Sequence, residues 1–294
     1  MSRKKSLLSI SDLTISDIES IIKLANQYLN KEVTDNNILE NKTVINLFFE
    51  DSTRTLASFE IAAKSLGANV LTIPIKSSSI NKGEDLKDMI KTLNAMNPDY
   101  IIVRHKNSGI FNVLAQYIDC VLINAGDGSR EHPTQALADY FVISNHKKQI
   151  EGLKVVICGD ILHSRVAKSN IRLLEMFGAE IRLVAPPTLT CKYFPEVHYS
   201  LIVGIKDADV IMLLRLQKER MNNSYFIPSE KEYFYLYGLD SHKLSYAKPD
   251  AIVMHPGPVN RGVEISDEIA DSIILQQVEC GLAVRKAILR YYLG

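Results

Sequence analysis

The chain is 294 residues long, which suits about two domains of ordinary size. Apolar residues make up 46% and charged residues 23%, the balance of a soluble globular protein able to bury a sizeable core. The 34 Lys and Arg residues equal the 34 Asp and Glu residues; this zero net charge argues against a nucleic-acid coat or a membrane-surface role, and any basic cluster must be local.

The N-terminus, MSRKKSLLSISD, is basic but lacks the apolar core of a signal peptide. Ser16-Asp17-Ile18-Glu19 has the S-x-x-E form of a capping box, and Ile18, Ile21, Ile22, Ala25 and Leu29 follow at helical spacing, predicting a first helix. TVINLFF at 43–49 is a continuous apolar, β-branched run that suits a buried parallel strand. A second helix is expected from Thr53, with Leu56, Phe59, Ala63 and Leu66 on one face and Gly67 at its C-terminal cap. NVLTIP, YIIVRH and CVLINA read as strands, with GEDLKDMIKTLNAM and one further segment as the helices between them. A helix from Pro133 to about Asn145 ends in the polar stretch NHKKQIEG, where a domain boundary is expected between 146 and 147. LKVVICGD, EIRLVAP, DVIMLLR and AIVMHP then read as strands of a second set, and a long amphipathic helix is expected at about 267–292. Alternation of strand and helix throughout predicts α/β architecture with parallel sheets in two domains. No apolar run is long enough to span a bilayer. Cysteines at 120, 158, 191 and 280 form no C-x-x-C pair, so reduced thiols in a cytoplasmic protein are the simplest expectation.

Ligands of open α/β sheets bind beyond the carboxyl ends of the strands, so the residues after each strand carry the functional reading. Ser52-Thr53-Arg54-Thr55 follows the first strand. Ser52 is placed to cap the second helix, whose first-turn amides and dipole favour an anion; two threonine hydroxyls and the guanidinium fork of Arg54 suit phosphate. Taken alone, the motif also fits a capped helix with a surface arginine. A second arginine, Arg104, ends another strand and favours the anion site. Neither G-x-x-x-x-G-K-[ST] nor G-x-G-x-x-G occurs, so the anion is not expected to be held as in P-loop or dinucleotide-binding folds. His132 precedes Pro133, a good first helical residue, so the helix N-terminus should lower its pKa and favour a neutral imidazole that donates one hydrogen bond; a histidine that only fixes the turn is the alternative. His105, His132, His163 and His255 share no metal-ligand spacing. Arg215 and Gln217 fall on one side of an extended segment and together could grip a carboxylate, although RLQKER also reads as a solvated charge run. Pro256-Gly257-Pro258 is a rigid turn able to present carbonyls to an amine.

Four motifs in chain order, Ser52-Thr53-Arg54-Thr55, HPTQ at 132–135, RLQKER at 215–220 and HPGPVNRG at 255–262, resemble those of aspartate carbamoyltransferase catalytic chains, in the aspartate/ornithine carbamoyltransferase superfamily. The D-x-x-x-S-M-G segment and the H-C-L-P turn usual in the ornithine enzymes are absent, so the aspartate side is favoured. The resemblance implies two α/β domains, 1–146 for carbamoyl phosphate and 147–294 for L-aspartate, with the active site in the cleft between them and the C-terminal helix packing back on the first. It implies carbamoyl phosphate held by Ser52, Thr53, Arg54, Thr55 and Arg104, its carbonyl oxygen met by Thr55, Arg104 and His132, and its amide met by Gln135 and the turn Pro256-Gly257. Catalysis would fall to Arg54, Thr55, Arg104, His132 and Gln135. Lys82, Arg165, Arg215 and Gln217 would bind aspartate, and Glu50 would tie the domains shut through Arg165 and Arg220. Ser78 and Lys82, in a loop that alone reads as a mobile surface segment, match residues donated by a neighbouring subunit, implying a homotrimer with shared active sites. Regulatory or dihydroorotase chains are possible further partners; no cofactor and no metal are implied, and neither nucleic acid nor membrane is an expected partner. Asp51, Leu56 and Gly257 depart from residues common among relatives without removing a group expected to touch substrate. An ornithine or other amino-acid transferase, or an inactive relative acting in an assembly, are the competing expectations.

Overall fold

The computed structural model describes residues 6–33, 36–75, 83, 85–190, 194, 197–221, 227, 229–270 and 274–293. It divides into two units, 1–141 with 279–294, and 142–278.

In the first unit, α1 (Ile15–Leu29) precedes β1 (Thr43–Phe48), α2 (Thr53–Ser65), β2 (Asn69–Ile73), α3 (Leu86–Ala95), β3 (Tyr100–His105), α4 (Ile110–Leu114), β4 (Val121–Asp127) and α5 (Pro133–His146), whose last turn enters the second unit. The capping box of α1 differs from the expected one. Thr14 accepts from the Asp17 amide at 3.2 Å, and Asp17 accepts from the Thr14 amide at 2.8 Å. The T-x-x-D spacing satisfies both amides two residues before Ser16 and Glu19 could. Strands β1, β3 and β4 are apolar and buried on both faces, while the edge strand β2 is partly exposed. Ile45, Leu47, Ile101, Val103 and Leu122 pack against Met89, Ile90 and Leu93 of α3 and Phe111 and Leu114 of α4.

The parallel order of this sheet is β2-β1-β3-β4. The chain steps one way from β1 to β2 and the other way to β3 and β4, so the switch point lies between β1 and β3, which pair with Phe48 opposite Arg104.

The second unit contains β5 (Lys154–Cys158), α6 (Arg165–Met176), β6 (Glu180–Val184), β7 (Val197–His198), α7 (Leu201–Ile205), β8 (Val210–Leu213), α8 (Glu230–Tyr237), α9 (Ser241–Leu244), β9 (Ile252–Met254) and α10 (Asp267–Ala270). Its sheet is parallel in the order β7-β6-β5-β8-β9, which puts the switch point between β5 and β8, where Cys158 faces Leu213. The expected single C-terminal helix is described as two stretches, α10 and α11 (Ile274–Tyr291), and 271–273 lie outside the described residues. From Glu279 onward α11 belongs to the first unit, where the Tyr100 hydroxyl donates to the Leu289 carbonyl at 2.8 Å. Among the described residues no helix is long and apolar enough to cross a membrane.

Candidate active site

At the switch point of the first sheet the backbone leaves β1 beside the end of β3, and the Phe49 amide donates to the Arg104 carbonyl at 2.8 Å. Ser52 occupies the N-cap position of α2, as expected, but its side chain makes no capping bond. Its backbone there has φ of −161° and ψ of 85°. The first-turn amides of α2 therefore lack the usual side-chain acceptor and stay available to an external anion. Thr53 and Arg54 are exposed there and Thr55 is buried. Arg104 is largely buried, with its Nε 3.0 Å from Glu50 Oε2 and its Nη1 3.4 Å from the Ala125 carbonyl. His105, next in line, is structural: it is buried, its Nδ1 accepts from the Asn107 amide at 3.0 Å, and burial, with Lys106 beside it, pushes its pKa below the usual histidine range.

His132 caps α5 with its own carbonyl, which accepts from the Gln135 and Ala136 amides. Its ring is buried, with Nδ1 3.4 Å from the Thr134 hydroxyl. One turn on, Gln135 donates from Nε2 to Asp139 Oδ1 at 3.0 Å. That bond fixes which end of the amide is which, leaving the carbonyl oxygen of Gln135 turned away as an acceptor for an N–H.

Two supports of this corner were not read from the sequence. Glu131, buried beside His132, accepts from the Ser9 hydroxyl at 2.8 Å and the Ile10 amide at 3.2 Å, while Leu7 joins β4 through bonds to Leu122 and Asn124. The N-terminal segment thus braces the turn that presents His132. Asp139 is fully buried, and its charge supports the buried Arg285 of α11, which stacks on the Phe59 ring at 5.2 Å. Burial pushes the Arg285 guanidinium down to about 10, with Asp139 opposing the shift. The i, i+4 spacing of Gln135 and Asp139 on one helix face was a readable signal; the pairings of Glu131 and Arg285 span the chain and were not.

The second sheet repeats the arrangement. Asp160, fully buried just past β5, accepts from the His163 amide at 3.2 Å and lies 2.8 Å from His163 Nδ1, while its other oxygen accepts from the Gln217 amide at 3.2 Å. One carboxylate therefore joins the two loops at the switch point. Gly159 before it has φ of +123°, and a Cβ there would stand 2.8 Å from the Leu214 carbonyl oxygen, so only glycine fits. Ser164 caps α6 by accepting from the Ala167 amide at 3.1 Å, placing the buried Arg165 at the first helical position. Arg215 and Gln217 are half-buried with Leu216 fully buried between them, as an extended segment requires. Arg220 donates to the His163 carbonyl at 3.0 Å. Burial pushes the Cys158 thiol at the end of β5 up to about 12, so it stays protonated at neutral pH and offers no thiolate nucleophile.

Pro256 and Gly257 lie in a turn after β9, with the Gly257 amide donating to His255 Nδ1 at 2.9 Å. Ser78 and Lys82 fall outside the described residues.

Comparison with known proteins identifies two family matches that together span nearly the whole chain. Residues 5–145 match the carbamoyl-P binding domain of aspartate/ornithine carbamoyltransferases, and residues 151–292 match the Asp/Orn binding domain. The chain is 81% identical to the aspartate carbamoyltransferase catalytic subunit of Wolbachia pipientis wMel, over 99% of each chain. It is 59% identical to that of Ehrlichia canis, over 98% of this chain and 95% of the other. Among solved structures, aspartate transcarbamoylase from Trypanosoma cruzi in complex with carbamoyl phosphate superposes with a TM-score of 0.89 at 30% identity, covering 99% of this chain and 97% of that one. Ornithine carbamoyltransferase from Pyrococcus furiosus follows at 0.86 and 28% identity, covering 97% and 96%.

Proposed function

The chain belongs to the aspartate/ornithine carbamoyltransferase family, and from that premise we propose that it transfers the carbamoyl group of carbamoyl phosphate to the amino group of L-aspartate, giving N-carbamoyl-L-aspartate and phosphate, an early step of pyrimidine biosynthesis. The observation that carries the reading is the pairing of two cationic strand-end clusters in a chain of zero net charge, each at the switch point of its own sheet.

The first cluster suits carbamoyl phosphate. Ser52, Thr53, Arg54, Thr55 and the amides of α2 receive the phosphate with Arg104; Thr55, Arg104 and His132 receive the carbonyl oxygen; Gln135 and the Pro256 carbonyl receive the amide. The second cluster suits a dicarboxylate. Arg165 and Arg215, with Gln217 assisting, match the two carboxylates of aspartate, whereas ornithine carries one carboxylate and a second cation. Asp160, the buried acid that joins the two loops there, is already engaged by His163 and Gln217. Ser78 and Lys82 from a neighbouring subunit would complete the site in a homotrimer. Domain closure through Glu50, Arg165 and Arg220 belongs to the same reading.

Both substrates are anionic and repel each other, and the arginines offset that repulsion. The neutral amine attacks the carbamoyl carbon, the carbon–oxygen bond to phosphate breaks, and the electron pair leaves with phosphate, which takes the amine proton. Charge grows on the carbonyl oxygen and on the leaving phosphate. Donors already fixed at both places lower the barrier more than donors that must reorganise. Holding two substrates in register can supply roughly 7–11 kcal/mol. No covalent enzyme intermediate is required. In an assay of product from carbamoyl phosphate with aspartate and ornithine side by side, carbamoyl-aspartate is the expected product; citrulline instead would overturn the substrate assignment, and neither product would favour an inactive relative.

A further inference from the structure

The turn after β9 contains a small machine built around one peptide group. Between His255 and Val259 the backbone has a single N–H, that of Gly257, because Pro256 and Pro258 have none. That N–H donates to His255 Nδ1 at 2.9 Å. It belongs to the same planar trans peptide as the Pro256 carbonyl, and in a trans peptide the two groups point in opposite directions. Holding the N–H therefore sets the direction of the carbonyl. No described residue donates a hydrogen bond to that carbonyl. Gly257 has φ of +68°, and without a Cβ its peptide is otherwise free to turn over.

The imidazole that does the holding is engaged at both ring nitrogens, and its residue is anchored through the backbone as well. It is 2% exposed, and the backbone N–H of the same residue donates to Gln277 Oε1 at 2.9 Å. A backbone N–H can only donate, so Nδ1 is bare and the ring proton sits on Nε2. Nε2 lies 3.2 Å from Glu264 Oε1, which accepts from it. Glu264 is 1% exposed; the same oxygen accepts from the Asn260 amide at 2.6 Å, and its backbone carbonyl accepts from Leu239 at 3.0 Å. Such enclosure leaves the ring no room to exchange roles between its nitrogens.

We propose that His255 and Glu264 are positioning residues for carbamoyl transfer: His255 holds the Pro256–Gly257 peptide with its carbonyl toward the carbamoyl amide, and Glu264 holds the ring with its proton on Nε2. This rests on the role given above to the Pro256 carbonyl. If the peptide turned over, an N–H would face the N–H of the carbamoyl group, and an attraction would become a repulsion. The bond from Gly257 also polarises the peptide and strengthens its carbonyl as an acceptor.

The test compares two replacements of the imidazole. His255→Asn keeps an acceptor for the N–H two residues on, the bond asparagine makes in turns, whereas His255→Leu keeps bulk and has no acceptor. The asparagine variant should retain kcat/KM for carbamoyl phosphate within about fivefold, and the leucine variant should lose at least about 30-fold with KM for aspartate little changed. Equal activity of the two, with matched melting temperatures, would overturn the proposal. Glu264→Gln, which keeps an acceptor for Nε2–H, should likewise outperform Glu264→Leu. If the leucine variants do not fold, nitrogen-15 spectra of the unaltered protein decide: a bare Nδ1 and protonated Nε2 on His255 agree, and a proton on Nδ1 contradicts. An unaltered protein that makes no carbamoyl-aspartate would defeat the functional reading itself, while an active one indifferent to His255→Leu defeats only this inference.

Discussion

Arg54→Ala is expected to lower kcat by about 10²–10³-fold while leaving the melting temperature within about 2 °C of the unaltered protein. The two halves of that expectation come from one position. Arg54 is exposed on the first turn of α2, so the fold does not use it. The helix amides beside it lack a side-chain cap, since Ser52 makes no capping bond, so an arriving phosphate meets unpaired donors and a guanidinium together. Arg54→Lys should recover only part of the loss, since an ammonium keeps the charge and loses the two-pronged geometry. Steady-state kinetics with thermal melting checks both halves, and full activity in the alanine variant would remove the phosphate site from α2.

Asp139→Ala carries the largest expected effect on stability, a loss of about 3 kcal/mol or more read from the urea midpoint. Asp139 and Arg285 are both buried, and without the carboxylate the guanidinium keeps its desolvation cost and loses the charge that offsets it. Adding Arg285→Met should return part of the loss, because a buried pair replaced by apolar bulk is commonly near neutral. Activity gives a second readout. Asp139→Asn keeps an acceptor for Gln135 Nε2 and should retain more kcat than Asp139→Ala at equal folded fraction. A midpoint unchanged in Asp139→Ala would show that Arg285 is supported by something else.

Much of the fold was legible because it rests on local patterns. Continuous apolar runs such as 43–49 bury both faces of a strand, and the polar residues that stop them mark the edge where ligands bind. Arg54, Arg104, His132, Arg165, Arg215 and Gln217 stand at strand ends or helix starts that the pattern shows, although strand order, and hence the two switch points, came only from the structure. At two helices the cap differs from the one the sequence suggests, for one reason. Several hydroxyls compete near each helix start, and backbone angles decide among them: Thr14 with Asp17 wins at α1, and Ser52 is in position at α2 without bonding the helix. Residues that support the site were hidden because their partners are remote in sequence. Glu131 is held by Ser9, 122 positions away, and Asp160 accepts from Gln217, 57 positions away. A lone acid in a sequence carries no mark of which distant donor it will meet.

A crystal structure with carbamoyl phosphate and succinate, a dicarboxylate that lacks the attacking amine, would test the site as a whole. Phosphate is expected on the amides of Thr53–Thr55 with Arg54 and Arg104, the carbamoyl N–H groups on Gln135 and the Pro256 carbonyl, and the carboxylates on Arg165 and Arg215. Phosphate seated away from the start of α2, or succinate bound without either arginine, would contradict it.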